Sequence, residues 1–471
     1  MIALTVFALL FVPAIHSRAW EDGEFVHALK LSSEGEEIWS RQFHEEPRFT
    51  REWEEPVFFI AMSTDEMGQM YLSFAVEDRD GGGGDIGIFL LDGQGEVKAF
   101  QQYGVTQSSE TISDFISDMQ RHPSGNGMIL AGYIGVTPWE GGFPANPDWI
   151  TIWLDKDGQE VWNRVFDGQE IPDLFGGGQA WSVAADNFNA IYATGYFGDA
   201  EYNERIPFTV KYNEHGETEW ILEGFGIRAL ATDGDSFLFL EGPSGLYCVD
   251  FNGNTIWATQ NSIHNIDAIA LTSDGVLDVA QGSDEDAWVW KMNKHDFSGD
   301  KQWSVVDNSG NVFVSLSVDT HDNVFVYSEE WPYWGAESGI IAKYDSDGEF
   351  LWDKNVLSGI DDLYIDFVMD TDNAGNLVVS TDDAIKKYSP DGDLIWEIED
   401  YDATFYKIEI DEEGSIYLAG VSYADDDTDD DVDDDANDDL NDDSDDDTDD
   451  DNADNQSVQD GDDHFTGCGC S

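Results

Sequence analysis

Two phrases of alternating apolar and polar residues recur along the chain, and both predict strands. One ends in a glycine turn followed four residues later by Trp: Gly35 and Trp39, Gly158 and Trp162, Gly216 and Trp220, Gly253 and Trp257, Gly299 and Trp303, Gly348 and Trp352, Gly392 and Trp396. An eighth copy, DGQGEVKAF around Gly95, keeps the turn and lacks the Trp. The other phrase falls roughly midway between these turns. A polar Asx/Gly turn opens a β-branched or aromatic run, as in DEMGQMYLSFAV (65–76), DNFNAIYATGYF, DTHDNVFVYS and DEEGSIYLAGVS (411–422), and it also occurs eight times. Apolar residues at every second position, bounded by Gly, Asn and Asp, mark half-buried strands, and no 3.6-residue stripe competes with them. Gly in the tight turns supplies the positive φ that a hairpin needs.

The spacing sets the architecture. Gly35 to Gly392 covers seven intervals of about 51 residues each, the length of a propeller blade. The chain opens on a turn-Trp phrase (31–43) and closes on a strand phrase without its partner (411–423). Joined, these two orphans complete one blade, which closes a ring and removes its free edges. The expected fold is all-β: a β-propeller over residues 20–424, with eight blades of four antiparallel strands closed by N- and C-terminal strands. Seven blades result instead if two short units merge. The repeated Trp residues read as inter-blade packing, a large apolar side chain at one fixed place in each blade.

The combined pattern, GNxYVxG, a variable loop, then VxKYDxxGxxxW, resembles the bacterial β-propeller repeat families, the SBBP repeats and the related quinoprotein-like repeats. KYNEHGETEW (211–220), KYDSDGEFLW (343–352) and KYSPDGDLIW (387–396) match best, and the resemblance runs from about 25 to 423. It implies a propeller but no particular activity, because propellers carry many. Quinoprotein dehydrogenases share Trp-bearing blades, yet that family's vicinal cysteine pair is absent here, so no PQQ and no other cofactor is expected.

Charge narrows the partners. The 471 residues hold 100 acidic and 21 basic side chains, a formal net charge of −79. Such a field repels phosphate backbones and anionic lipid, which excludes nucleic acid and polybasic membrane attachment. Residues 425–471 contain 23 Asp and no Lys or Arg, so −56 remains on the first 424 residues. The Asp-rich run has too little apolar surface to fold and reads as an extended stalk. It serves as a spacer or associates weakly with Ca²⁺ through its oxygen ligands. Residues 1–19, MIALTVFALLFVPAIHSRA, read as a signal peptide, with a buried first strand as the alternative. The chain ends Gly-Cys468-Gly-Cys470-Ser, which looks like the cysteine core of myxobacterial-type C-terminal sorting signals. The resemblance implies that Cys468 and Cys470 form an anchor, although the hydrophobic helix and arginine cluster of that family do not follow. Cys248, alone in a strand-like segment, reads as a small buried apolar residue. A secreted or cell-surface monomer is expected.

The usual catalytic constellations are missing. No His-Glu-x-x-His, Gly-x-Ser-x-Gly or phosphate loop occurs, and the nine histidines show no metal-ligand spacing. Asp-x-Asp-Gly at 155–158 and 345–348 reads as turn chemistry, since no bidentate Glu follows at calcium-loop distance. One feature rises above this. Long connections between strands carry aromatics, Trp139, Phe143 and Trp149 in one blade and Trp331, Tyr333 and Trp334 in another. Equivalent blade positions gather such loops on one face, where aromatics beside Asp, Glu and Asn would stack on a sugar or grip a peptide. The alternative is that they fold back over the blade ends. The functional expectation is a non-enzymatic binding or scaffold module for a protein or glycan. A polysaccharide hydrolase or lyase is the competing class, recognisable by carboxylates converging at the central channel.

Overall fold

The computed structural model describes residues 24–43, 60–77, 84–104, 114–134, 137–138, 144–145, 148–166, 177–198, 205–226, 230–242, 245–259, 266–284, 287–330, 338–358, 367–381, 384–399 and 403–423. They form an eight-bladed β-propeller of four-stranded antiparallel sheets. Blades 1 to 7 follow in chain order at 61–103, 115–166, 178–223, 230–258, 266–307, 311–358 and 368–399. Blade 8 is shared. Its two inner strands are Ala403–Ile410 and Ile416–Tyr423, and its two outer strands are Glu24–Leu31 and Glu37–Phe43. Eight consecutive pairs join the chain ends, from Glu24 opposite Tyr423 to Leu31 opposite Ile416. The first strands of the blades touch one another in an unbroken cycle, with blade 8 meeting blade 1, so the ring is closed at eight and not seven.

The core is divided among the seams. Eight apolar clusters occur among the described residues, one between each pair of neighbouring blades. Sheet faces packed on both sides explain why second strands such as Met128–Ile134 read as continuous apolar runs. A two-stranded hairpin, Thr137–Pro138 with Pro144–Ala145, is inserted between the second and third strands of blade 2.

The turn-Trp phrase has a shared geometry. In all eight outer hairpins the register slips by one residue just before the turn, and the turn glycine has positive φ, the signature of a glycine bulge turn. Seven of the eight glycines then lie against the Trp of the preceding blade. A Cβ on Gly95 would sit 2.7 Å from the Trp39 ring, and one on Gly348 would sit 2.6 Å from Trp303. The fixed four-residue offset therefore brings the turn of one blade onto the indole of another. Gly35 against Trp396 carries the contact across the closure.

One seam departs from the rule. Ala99 occupies the Trp position of blade 1, opposite Leu90, and a Cβ on Gly158 of blade 2 would lie 2.8 Å from the Ala99 Cβ. The two blades have closed onto the smaller side chain. Restoring the repeat with Ala99→Trp should therefore destabilise the protein by about 1–3 kcal/mol through overpacking, seen as a lower denaturant midpoint. A raised midpoint would show that the seam had room.

Candidate functional site

The two ends of the blades differ. Tight turns join the first strand to the second and the third to the fourth, so in an antiparallel sheet both lie at one end of every blade. The connections from second to third strand, and from blade to blade, lie at the other. These include the 17 residues before Ala61 and the 13 between Ile134 and Asp148. Both chain ends, at Glu24 and Tyr423, also leave blade 8 at this loop end.

The turn end is locked between blades. Trp220 Nε1 and Lys211 Nζ both donate to the Phe251 carbonyl of the next blade, at 3.1 and 3.0 Å. Trp352 and Lys343 do the same to Pro390 at 3.0 Å each, Trp396 and Lys387 to Ser33 at 3.1 Å each, and Trp303 and Lys294 to Ser346. The lysines also meet carboxylates, as in Lys387 with Asp372 at 2.9 Å and Lys294 with Asp274 at 2.7 Å. In blade 4 Cys248 replaces this lysine opposite Trp257. It is fully buried, and burial pushes its thiol up to about 12. Second-strand tyrosines add a further tie: Tyr417 donates to the Gly68 carbonyl of blade 1, and Tyr71 to that of Asp155 in blade 2.

These contacts sharpen the charge argument. Lys30, Lys211, Lys294, Lys343 and Lys387 are all buried, so five of the 21 basic residues do not screen the surface acids. Unscreened like charges favour expansion of the chain. The melting temperature should rise markedly between 0.2 and 3 M NaCl or KCl, beyond the range where ordinary screening is complete. A melting temperature unchanged over that span would refute this expectation.

Around the axis the first strands carry a second set of charged groups, unseen in the repeat pattern. Asp118 of blade 2 accepts from Val183 N at 2.9 Å and Ser182 Oγ at 3.1 Å in blade 3. Glu409 of blade 8 accepts from Thr64 N and Oγ1 of blade 1 at 2.7 and 2.9 Å. Asp370 of blade 7 accepts from Ile410 N of blade 8 at 2.8 Å. An innermost strand has an unpaired edge, and a carboxylate from the neighbouring blade satisfies its N–H groups. Burial pushes Glu409 up to about 7, against the opposing pull of Arg121 and the Thr64 bonds. Burial likewise raises Asp370 to about 7, with Glu409 and Asp372 adding to it, and raises Asp118. Lys407 is pulled below the usual lysine range by burial, with Asp118 opposing.

Bulges place several of these groups. The first strands of blades 2, 3 and 8 slip at Ser117, Trp181 and Tyr406, and Asp118, Ser182 and Lys407 are the residues that follow. Blades 5 and 6 slip at Asp267 and Val314. A bulge re-aims side chains beside it. Blades 7, 8, 1 and 2 thus form a charged arc of the inner ring. The first strands of the opposite blades carry one buried acid, Asp267, beside Leu230, Ile269, Leu271, Val312 and Leu316, most of which pack in the seams.

The aromatic candidates divide. Trp149 lies on the strand Asp148–Leu154, fully buried, stacked on Phe197 at 5.0 Å and donating to the Tyr196 carbonyl at 3.2 Å. Its place is the seam between blades 2 and 3, not a binding platform, because pairing opposite Tyr133 turns it inward. Trp139, Phe143, Trp331, Tyr333 and Trp334 lie outside the described residues, as do Cys468, Cys470, the leader and the Asp-rich tail. Among the described residues no group of three or more His, Cys, Asp or Glu side chains could hold a metal ion.

No family model matches the chain, and no curated protein matches it in sequence. Solved structures do. A Bacteroides caccae protein of unknown function shares 8% identity over 70% of this chain and 94% of its own, with a TM-score of 0.34. The Neurospora crassa Pan2 WD40 domain shares 7% over 77% and 90%, at 0.38. The Pyrococcus horikoshii acylaminoacyl peptidase shares 9% over 72% of this chain and 52% of its own, at 0.39. The likeness is one of fold. No repeat family is identified by it.

Proposed function

We propose that the chain is an exported or surface-displayed binding module, a propeller scaffold that takes a protein or glycan at its loop end. The observation that carries this reading is the asymmetry of the blades. Their turn end is tied from neighbour to neighbour by Trp, Lys and Gly, whereas the long aromatic-bearing connections all belong to the opposite end. Loops on a rigid frame are where recognition residues can vary without disturbing packing. The signal-like leader, the Asp-rich tail as a spacer that binds Ca²⁺ weakly, and the Cys468–Cys470 end fit display outside the cell. The SBBP-like pattern of the repeats fits the same setting.

A hydrolase or lyase reading would draw on Glu409 and Asp370, two carboxyls that keep protons up to about pH 7. Both hold backbone N–H groups of adjoining blades, which favours a structural part for them. A glycan-array assay on the full chain tests the proposal. Binding is expected, and Trp139→Ala with Trp331→Ala should weaken it about tenfold or more without moving the melting temperature. Absence of binding together with polysaccharide cleavage abolished by Glu409→Gln would overturn it in favour of the enzyme.

A further inference from the structure

The fourth strand of each blade pairs only with the third among the described residues, so its outer edge is free. Free edges are templates for another strand, and proteins blunt them with basic residues or by keeping them short. Five of the eight edges carry such a residue: Arg41 on blade 8, Lys98 on blade 1, Arg164 on blade 2, Lys301 on blade 5 and Lys354 on blade 6. Blade 4 limits its edge to four residues, Thr255–Ala258. Two six-residue edges have neither guard, Thr218–Glu223 on blade 3 and Leu394–Glu399 on blade 7. They differ in what they expose. The large apolar side chain in the open on blade 3 is Ile221, at 36%, whereas blade 7 shows both Leu394 and Ile395 at 51%.

The blade 7 edge also has two unlike faces. Trp396 turns to Gly35 of blade 8, and Ile398 packs in the same seam. Alternation puts Glu397 and Glu399 on the other face. Glu397 meets Lys386 at 2.8 Å, and Glu399 is exposed. Asp391 and Asp393, both exposed, precede the strand. The register slip at Ile395, shared by the equivalent residue of all eight hairpins, leaves Trp396–Glu399 as regular strand. A strand laid along this edge needs apolar side chains on one face and positive charge on the other. An antiparallel second copy of the same edge fails that requirement, because it sets the glutamates against like charges.

We propose that the Leu394–Glu399 edge takes, as a fifth strand of blade 7, an extended segment of a partner protein in which apolar and basic residues alternate. Every second residue of the edge turns its N–H and C=O outward for pairing. The partner's apolar residues continue the row of Trp396 and Ile398, and its Lys or Arg residues face Glu399 and the acids of the turn. One end of the segment rests on Leu394 and Ile395. The negative field of the chain draws such a segment in. This surface is separate from the loop end and does not depend on what binds there.

The test uses the full chain and a fluorescent, end-capped peptide of alternating Val and Lys, long enough to span the edge, at about 0.15 M salt. Fluorescence anisotropy should show binding. Ile395→Lys should weaken it about tenfold or more, since an apolar contact is replaced by a repelling charge. Ile256→Lys makes the same change at the equivalent position of blade 4, where Ile256 is 52% exposed, and should leave the affinity within about twofold. A peptide of the same composition with its Val and Lys in separate blocks should bind about tenfold more weakly. In the unaltered chain the alternating peptide should slow hydrogen exchange at residues 394–399, a readout that stands even if a variant does not fold. Equal weakening in the two variants, equal binding of the block peptide, or protection at 218–223 in place of 394–399 would overturn the site. Self-association of the chain that Ile395→Lys abolishes would overturn the partner in favour of a second copy.

Discussion

Removing residues 1–43 should abolish cooperative unfolding of the propeller. The deletion takes two of the four strands of blade 8, Glu24–Leu31 and Glu37–Phe43, and with them all eight pairs opposite Ile416–Tyr423. It removes Val26, Ala28 and Trp39 from the seam with blade 1 and exposes Met70, Leu72 and Leu91 of the same apolar cluster. The contact of Gly35 with Trp396 on the other side is lost too. Two seams open at once, and the inner strands of blade 8 acquire a free edge. Calorimetry should show a broad, weak transition in place of a single sharp one. A circular permutant that links Tyr423 to Glu24 and opens the chain at 308–310, between blades 5 and 6, keeps every strand and should retain the sharp transition. If the deletion melts as sharply as the full chain, the shared blade does not hold the ring.

Glu409→Gln should leave stability unchanged near pH 4 and raise it by on the order of 3 kcal/mol at pH 8. The sign follows from linkage. In the fold the Glu409 carboxyl is raised to about 7 from its ordinary 4.5. Its contribution is therefore fully present below the unfolded value and is lost as pH rises through about 7, because the unfolded chain gives up the proton first. Gln mimics the protonated acid: its Oε1 can accept from Thr64 N, and its Nε2 can donate to Thr64 Oγ1 at the other position. The difference in denaturant midpoint between the two proteins should open between pH 4.5 and 7.5. Asp370→Asn should open a gap of the same sign, since Asp370 is also raised to about 7. Both act on the seams of the shared blade, so closure of the ring weakens as these acids ionise. A gap that is constant with pH would mean that Glu409 is not held protonated in the fold.

The ring was legible because its parts are rare residues at fixed spacing. Positive φ in a bulge turn demands glycine, the seam demands one large flat side chain, and each demand writes a letter into the sequence about every 51 residues. Blade count and closure followed from counting those letters. The lysine of the KY pairs was visible too, at 211, 343 and 387, but its use was not. That depends on a carbonyl about 40 to 50 residues away in the case of Phe251 or Pro390, and 354 away in the case of Ser33.

The inner-ring acids were hidden for the opposite reason. Among 100 acidic residues, Asp118, Asp370 and Glu409 carry no compositional mark, and Glu409 meets Thr64 across 345 residues of chain. Trp149 was misassigned because the neighbouring connection is rich in aromatics. Yet DWITIWL is itself a strand buried on both faces, and its dense apolar content points to a core strand and not to a platform.

The Trp-on-glycine contact also has a direction. Every blade with a Trp offers its indole forward and its turn backward, so the seam is head-to-tail, unlike the self-complementary patch of a two-fold dimer. Head-to-tail contacts build either a closed ring or an endless helix, and the angle per step decides which. Here eight steps return to the start. A blade gained or lost by duplication would bring its own donor and acceptor and leave every remaining seam intact, so such proteins can change circumference in whole blades. Among the described residues, the Ala99 seam is the one Trp-on-glycine joint that lacks its indole. It gives an otherwise repetitive ring a key, which discourages blades from docking one position out of step.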